Sequence, residues 1–155
     1  MTLDEVTQYL HEHIPLSRHL GARLVHWDGR TARLAAPLEP NLNHVGTAFG
    51  GSMSALAILC GWTLLHLALE ERGVPHQLVI QSSTMDYVEP VEGDFTATSS
   101  LPDAAQWDRF LATLERHHRA RIAVAGSVES AAGVGCSYEG RYVALRQPAA
   151  AGVQS

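Results

Sequence analysis

From Phe49 to Leu69 the chain runs for 21 residues without an Asp, Glu, Lys or Arg. At ~1.5 Å per residue a helix of that length spans ~30 Å, enough to cross a bilayer or to pass through the middle of a water-soluble domain. Gly50, Gly51, Ser52, Ser54, Gly61, Thr63 and His66 interrupt its apolar character, and Glu70-Glu71-Arg72 follows it in place of a basic flank. Strand-like segments come next. The stretch therefore reads as a helix apolar on all sides at the centre of a soluble fold, with no membrane partner expected. Gly73 and Pro75 close it.

The remaining pattern says what could surround such a helix. Leu3, Val6, Leu10 and Ile14 are helically spaced, with Asp4 and Glu5 in the first turn and Pro15 as the stop. Two strand-like runs, 22–27 and 31–37, meet at Asp28-Gly29, a strong hairpin signal. Residues 37–48 hold two prolines, Asn41, Asn43 and Gly46, and read as a loop. After the helix, 76–88, 94–101, 119–129 and 133–146 have strand character, and Trp107, Phe110, Leu111 and Leu114 give 103–117 helical spacing. Strands clustered after one helix favour an α+β fold with an antiparallel sheet over parallel βαβ units. A thin sheet could not cover so apolar a helix alone, so a homodimer or a dimer of dimers is expected. Residues 1–146 form the single expected domain, and the small, uncharged 147–155 is expected to be a disordered tail.

Composition narrows the function. The formal net charge of −5 excludes the basic footprint of a nucleic-acid binder. Charged residues are only 17% of the chain, which suits burial of a face against another subunit. Met1-Thr-Leu-Asp-Glu does not resemble a secretory signal, and Cys60 and Cys136 lack metal-ligand spacing. Two reduced, buried thiols in a cytoplasmic protein are expected. The nine histidines show no HExxH or other paired ligand spacing, so no metal is expected. No Gly-x-Ser-x-Gly elbow or phosphate loop is present.

The segment that could carry chemistry is Asn43-His44-Val45-Gly46-Thr47-Ala48-Phe49-Gly50-Gly51-Ser52. A loop feeding a long helix presents backbone N–H groups without partners at the positive end of the helix dipole. Such donors suit a carbonyl oxygen that becomes an oxyanion, and two glycines let it approach closely. A Gly-rich helix start packed closely against a sheet would look the same.

Asn43, Gly46 and Gly50-Gly51 resemble the hotdog thioesterases, in which Asn, then Gly, then His-Gly-Gly opens the central helix. Phe49 stands at the His position. The run Gly46–Ser52, with Ala57, Gly61-Trp62, Leu64-Leu65-His66 and Tyr87…Pro90-Val91…Gly93-Asp94, is similar to the thioesterase group of the YiiD C-terminal type, which occurs alone or fused to an N-acetyltransferase. The likeness covers roughly residues 10–146. It implies a hotdog fold, an antiparallel sheet wrapped around one long helix, and hydrolysis of an acyl-CoA or acyl-carrier thioester without a cofactor.

Carried over, Gly51 with Gly50 would polarise the carbonyl and Asn43 would orient substrate or water. His44, Phe49 and Asp86 are expected to line the substrate site. One position departs from the family pattern. Where many relatives carry a catalytic Asp or Glu, nine residues after the motif His, this chain has Ile58. On the polar strand Gln81–Tyr87, alternation groups Gln81, Ser83, Met85 and Tyr87 on one face. Ser83 is the expected water-holding hydroxyl, reaching the helix start of a partner subunit. Asp86 or Glu89 are candidate bases. The missing helix carboxylate leaves a second reading open, a non-catalytic acyl-CoA or acyl-carrier binding module, and a third, an oligomerisation domain with a vestigial pocket.

Overall fold

The computed structural model describes residues 1–148. Helix α1 (Leu3–His13) starts on a capping box in which Thr2 accepts from the Glu5 amide and Glu5 from the Thr2 amide. Pro15 stops it and also opens α2 (Pro15–Leu20), a helix missed in the sequence. A proline in the first helical position gives up a donor that would have no intrahelical partner, so one residue ends one helix and begins the next. The hairpin of β1 (Arg23–Trp27) and β2 (Thr31–Ala36) turns at Asp28-Gly29 as expected. Asp28 Oδ1 accepts from the Arg30 and Thr31 amides at 2.9 and 2.8 Å.

Helix α3 (Gly50–Glu71) follows the loop, then β3 (His76–Tyr87), β4 (Phe95–Ser100), α4 (Ala104–His117), β5 (Arg119–Ser130) and β6 (Gly133–Arg146). The six strands form one antiparallel sheet in the order β1-β2-β4-β5-β6-β3. Helix α3 touches β2, β3, β4, β5 and β6, so the sheet curls around it. By length and composition α3 could cross a membrane, yet 67% of its most apolar window is buried inside the fold.

Sheet and helix approach closely at Gly61, where a Cβ would collide with the hydroxyls of Tyr138 and Tyr142. Tyr142 donates to the Ile58 carbonyl at 2.6 Å, which makes Tyr138 the donor in the 2.5 Å contact between the two hydroxyls. Burial raises both phenol pKa values, so both remain neutral. The Cys60 thiol donates to the Ala32 and Ala97 carbonyls, and burial pushes its pKa up to about 12. Cys60 and Cys136 are free and buried, as expected.

The sheet does not cover α3 alone: α2 packs on the helix as well, and Leu56, Leu64, Leu65 and Leu69 are wholly buried. What remains half-buried includes a stripe at four-residue spacing, Ser54, Ile58, Trp62 and His66. The alternation expected on β3 breaks, because the register with β6 shifts between Ile80 and Ser82. Leu78 pairs with Ala144, while Ser83, Met85 and Tyr87 pair with Gly140, Tyr138 and Cys136. Even-numbered Leu78 and odd-numbered Met85 thus both face the helix, and Gln81 belongs to the bulge rather than to that face. Gln147 donates to the Pro75 carbonyl, while 149–155 of the expected tail lie outside the described residues.

Candidate active site

The helix entrance is held by two asparagines. Asn41 is buried, and its Nδ2 donates to the carbonyls of Leu20 at 2.9 Å and Pro37 at 2.8 Å. Its own carbonyl accepts from the Phe49 amide at 2.7 Å, and the Ala48 amide donates to Val91 at 2.8 Å. The chain is therefore clamped just before the helix begins. Asn43 folds the preceding loop: Oδ1 accepts from the Val45 and Thr47 amides, each at 3.0 Å, and Nδ2 donates to Thr47 Oγ1 at 2.8 Å. Gly46, at φ 85°, supplies the left-handed turn that closes it.

Phe49 is the N-cap, in an extended conformation and without a side-chain cap. Its carbonyl accepts from Ser52 and Met53. The Gly50 and Gly51 amides find no acceptor among the described residues. Two bare donors thus sit at the positive end of a 22-residue helix, where a developing negative charge is stabilised. Gly51 is exposed, and a Cβ there would strike the Phe49 ring. On the other side the Tyr87 hydroxyl donates to the Gly50 carbonyl at 2.8 Å. Burial raises the Tyr87 pKa, the neighbouring Cys136 adds to it, and the Ser54 hydroxyl acts in the opposite direction.

The fold thus gathers Asn43, Phe49, Gly50 and Gly51 around one entrance. His44 is at the exposed tip of the loop, and its side chain has no hydrogen bond among the described residues. Ser83 faces the helix side of β3, but it lies four residues, ~13 Å of strand, from Tyr87. Asp86 alternates to the opposite face and is exposed. Neither meets the glycines within one chain. Ile58 is half-buried on α3. Sequence reading missed Asn41 and Tyr87 as organisers of the entrance. Tyr87 shares a strand face with Ser83, which is the signal for it; Asn41 acts through main-chain carbonyls, that of Leu20 lying 21 residues away, and leaves none. The segments framing the entrance expose Leu42, Val45, Phe49, Tyr87 and Val88.

A second cluster lies ~22 Å along the helix axis. His66 and Glu70, one turn apart on α3, meet His76 at the start of β3, with ligand-type atoms of all three within 4.8 Å of one another. No HExxH spacing brings these groups together: His66 and Glu70 are i, i+4 on α3, and the short α3–β3 connection adds the third group. Burial, then His76, lowers the His66 pKa to about 4, with Glu70 opposing and His13 adding to the effect.

A family model described as "Putative thioesterase (yiiD_Cterm)" matches residues 3–146. Among solved structures, a protein of unknown function from Chlorobaculum tepidum is 30% identical, with a TM-score of 0.88 over 94% of this chain and 98% of that one. A "putative thioesterase" from Shewanella oneidensis is 23% identical, with a TM-score of 0.83 over 92% and 96% of the two chains. A thioesterase from Haemophilus influenzae is 16% identical, with a TM-score of 0.75 over 94% and 92%. At the identities of the last two, the likeness speaks for the hotdog fold.

Proposed function

The chain belongs to the yiiD C-terminal family of thioesterases, and we propose that it hydrolyses an acyl-CoA or acyl-carrier thioester at the Gly50–Gly51 helix entrance. The observation that carries this reading is the pair of unpartnered amides at the start of a long helix, open to solvent. The thioester carbonyl oxygen would accept from Gly51, with Gly50 as second donor. Water adds to the carbonyl carbon and gives up a proton, the charge collects on that oxygen, and the tetrahedral species expels the thiolate, which takes up the proton that the water released. Free acid and free thiol leave. Removing one such donor typically costs ~3–4 kcal/mol of transition-state stabilisation.

The other residues take supporting roles. Asn43 acts as a positioning residue, since its carboxamide is engaged in the loop that aims the helix start. Phe49 and His44 would flank the substrate. Ser83 and Asp86 would come from a second copy, Ser83 holding the water on the helix face of its strand and Asp86, on the opposite face, meeting the substrate away from that water. A homodimer, alone or paired into a dimer of dimers, is supported by β3, a 12-residue edge strand with exposed Val79 and Ile80. Unpaired hydrophobic edges of this length invite a partner strand. Free, buried Cys60 and Cys136 support a reducing, cytoplasmic setting.

A specific feature favours a second reading. With Ile58 at the usual carboxylate position, a hydroxyl at Ser83 would bind water well and deprotonate it poorly. Binding of an acyl thioester without turnover would then be the role. Thiol release from a chain-length panel of acyl-CoAs, with calorimetry on the same panel, separates the two. Saturable release supports hydrolysis, and heat of binding without release supports the binding module.

A further inference from the structure

The far end of α3 carries a constellation that the thioester chemistry does not use. His66 Nδ1 and His76 Nε2 face each other at 2.9 Å, and Glu70 stands one helical turn beyond His66. Both imidazoles are held in place. His66 is stacked against Trp62 and Tyr9, with ring centroids at 4.7 and 5.3 Å. His76 Nδ1 lies 2.7 Å from the Val74 carbonyl. A carbonyl only accepts, so Nδ1 bears the proton and Nε2 presents its lone pair toward His66. A main-chain carbonyl on the remote ring nitrogen is the usual outer support of a metal-bound histidine.

We propose that His66, Glu70 and His76 form a binding site for a divalent ion of the zinc class, fastening the C-terminal end of α3 to the first residue of β3. Two imidazole nitrogens and one carboxylate are a borderline donor set that suits zinc and disfavours magnesium or calcium, which prefer all-oxygen shells. Nitrogens bound tetrahedrally at ~2.0–2.1 Å lie ~3.3 Å apart, so the observed separation must open by only a few tenths of an ångström. The proton shared between the two rings shifts to His66 Nε2 as the ion enters. Glu70 is exposed and free to rotate its carboxylate inward. Three protein ligands leave a fourth position for water. Because β3 runs from His76 to Tyr87, the clip would fix the strand whose other end holds the Gly50 carbonyl.

Chelator-stripped protein titrated with zinc chloride by calorimetry tests this directly, with cobalt(II) as a visible-absorption probe. One equivalent per chain is expected, with a rise in Tm and the visible bands of four-coordinate cobalt. His76→Gln should lose the site. Glu70→Gln, at an exposed position where folding is not at stake, should weaken affinity at least tenfold. Zinc binding of unchanged affinity and stoichiometry in Glu70→Gln, or no binding by the unaltered protein up to millimolar zinc, would overturn the proposal.

Discussion

Asn41 and Asn43 are two residues apart and differ in how far their bonds reach. Asn41 ties the helix start to Leu20 and Pro37, whereas Asn43 closes a five-residue loop on itself. The second arrangement makes a sharp prediction. Asn43→Asp keeps the Oδ1 acceptor for Val45 and Thr47 and loses only the Nδ2 donor. If Asn43 positions the loop, Asp should retain most thioesterase activity, while Asn43→Ala should lose activity and about 1–3 kcal/mol of stability, measured by denaturant unfolding beside thiol-release kinetics. Equal inactivation of both variants would instead place the amide against substrate. Ile58→Asp belongs at the same scale: if only a base is missing, this change raises the hydrolysis rate. The motif around Asn43 and Gly51 was readable because local spacing encodes loop-to-helix geometry. Asn41 was not, since nothing in a sequence reveals which distant carbonyl a side chain will meet.

Among the elements, the β1–β2 hairpin and α3 illustrate opposite sources of order. The hairpin rests on Asp28, whose pKa is lowered to about 2 by the amide of Arg30, then that of Thr31, and by His26. The folded pKa lies below the unfolded value of 3.8, so the contribution is present above pH ~4 and is lost as pH falls through ~2. Asp28→Asn should therefore have a lower Tm than the unaltered protein at neutral pH, and the gap should close by pH 2. Helix α3 depends instead on close approach. Gly61→Ala should destabilise the protein by about 1–3 kcal/mol, seen as a lower Tm, because the Tyr138 and Tyr142 hydroxyls must move. Strand and helix periodicity made most elements legible, α3 above all. The bulge after Ile80 and the short α2 were not, since both rest on backbone choices that apolar spacing does not record.

For the whole molecule, the open question a single chain poses is what covers β3 and the half-buried stripe of α3. The sequence predicts one domain over residues 1–146, and the described sheet and helices share one core. An antiparallel sheet wrapped around α3 follows from burying a helix that carries no charge before Glu70, and that much is legible in the sequence, while the strand order is not. Association does not follow from periodicity, because an edge strand and a central strand share the same alternation. Val79→Lys combined with Ile80→Lys should convert a dimer to monomer in light scattering, and hydrolysis should fall with it if Ser83 serves the partner's entrance. Retained activity in the monomer would separate Ser83 from the chemistry.

The most direct measurement concerns the donor itself. Gly51→Pro removes the Gly51 N–H while remaining in the first turn, where helices tolerate proline. Paired with Phe49→Ala to relieve the ring, it leaves α3 intact by circular dichroism but takes away the proposed oxyanion contact. Steady-state thiol release from acyl-CoA should fall ~100–1,000-fold in kcat relative to Phe49→Ala alone. A folded double variant that turns over at the rate of Phe49→Ala would contradict the account.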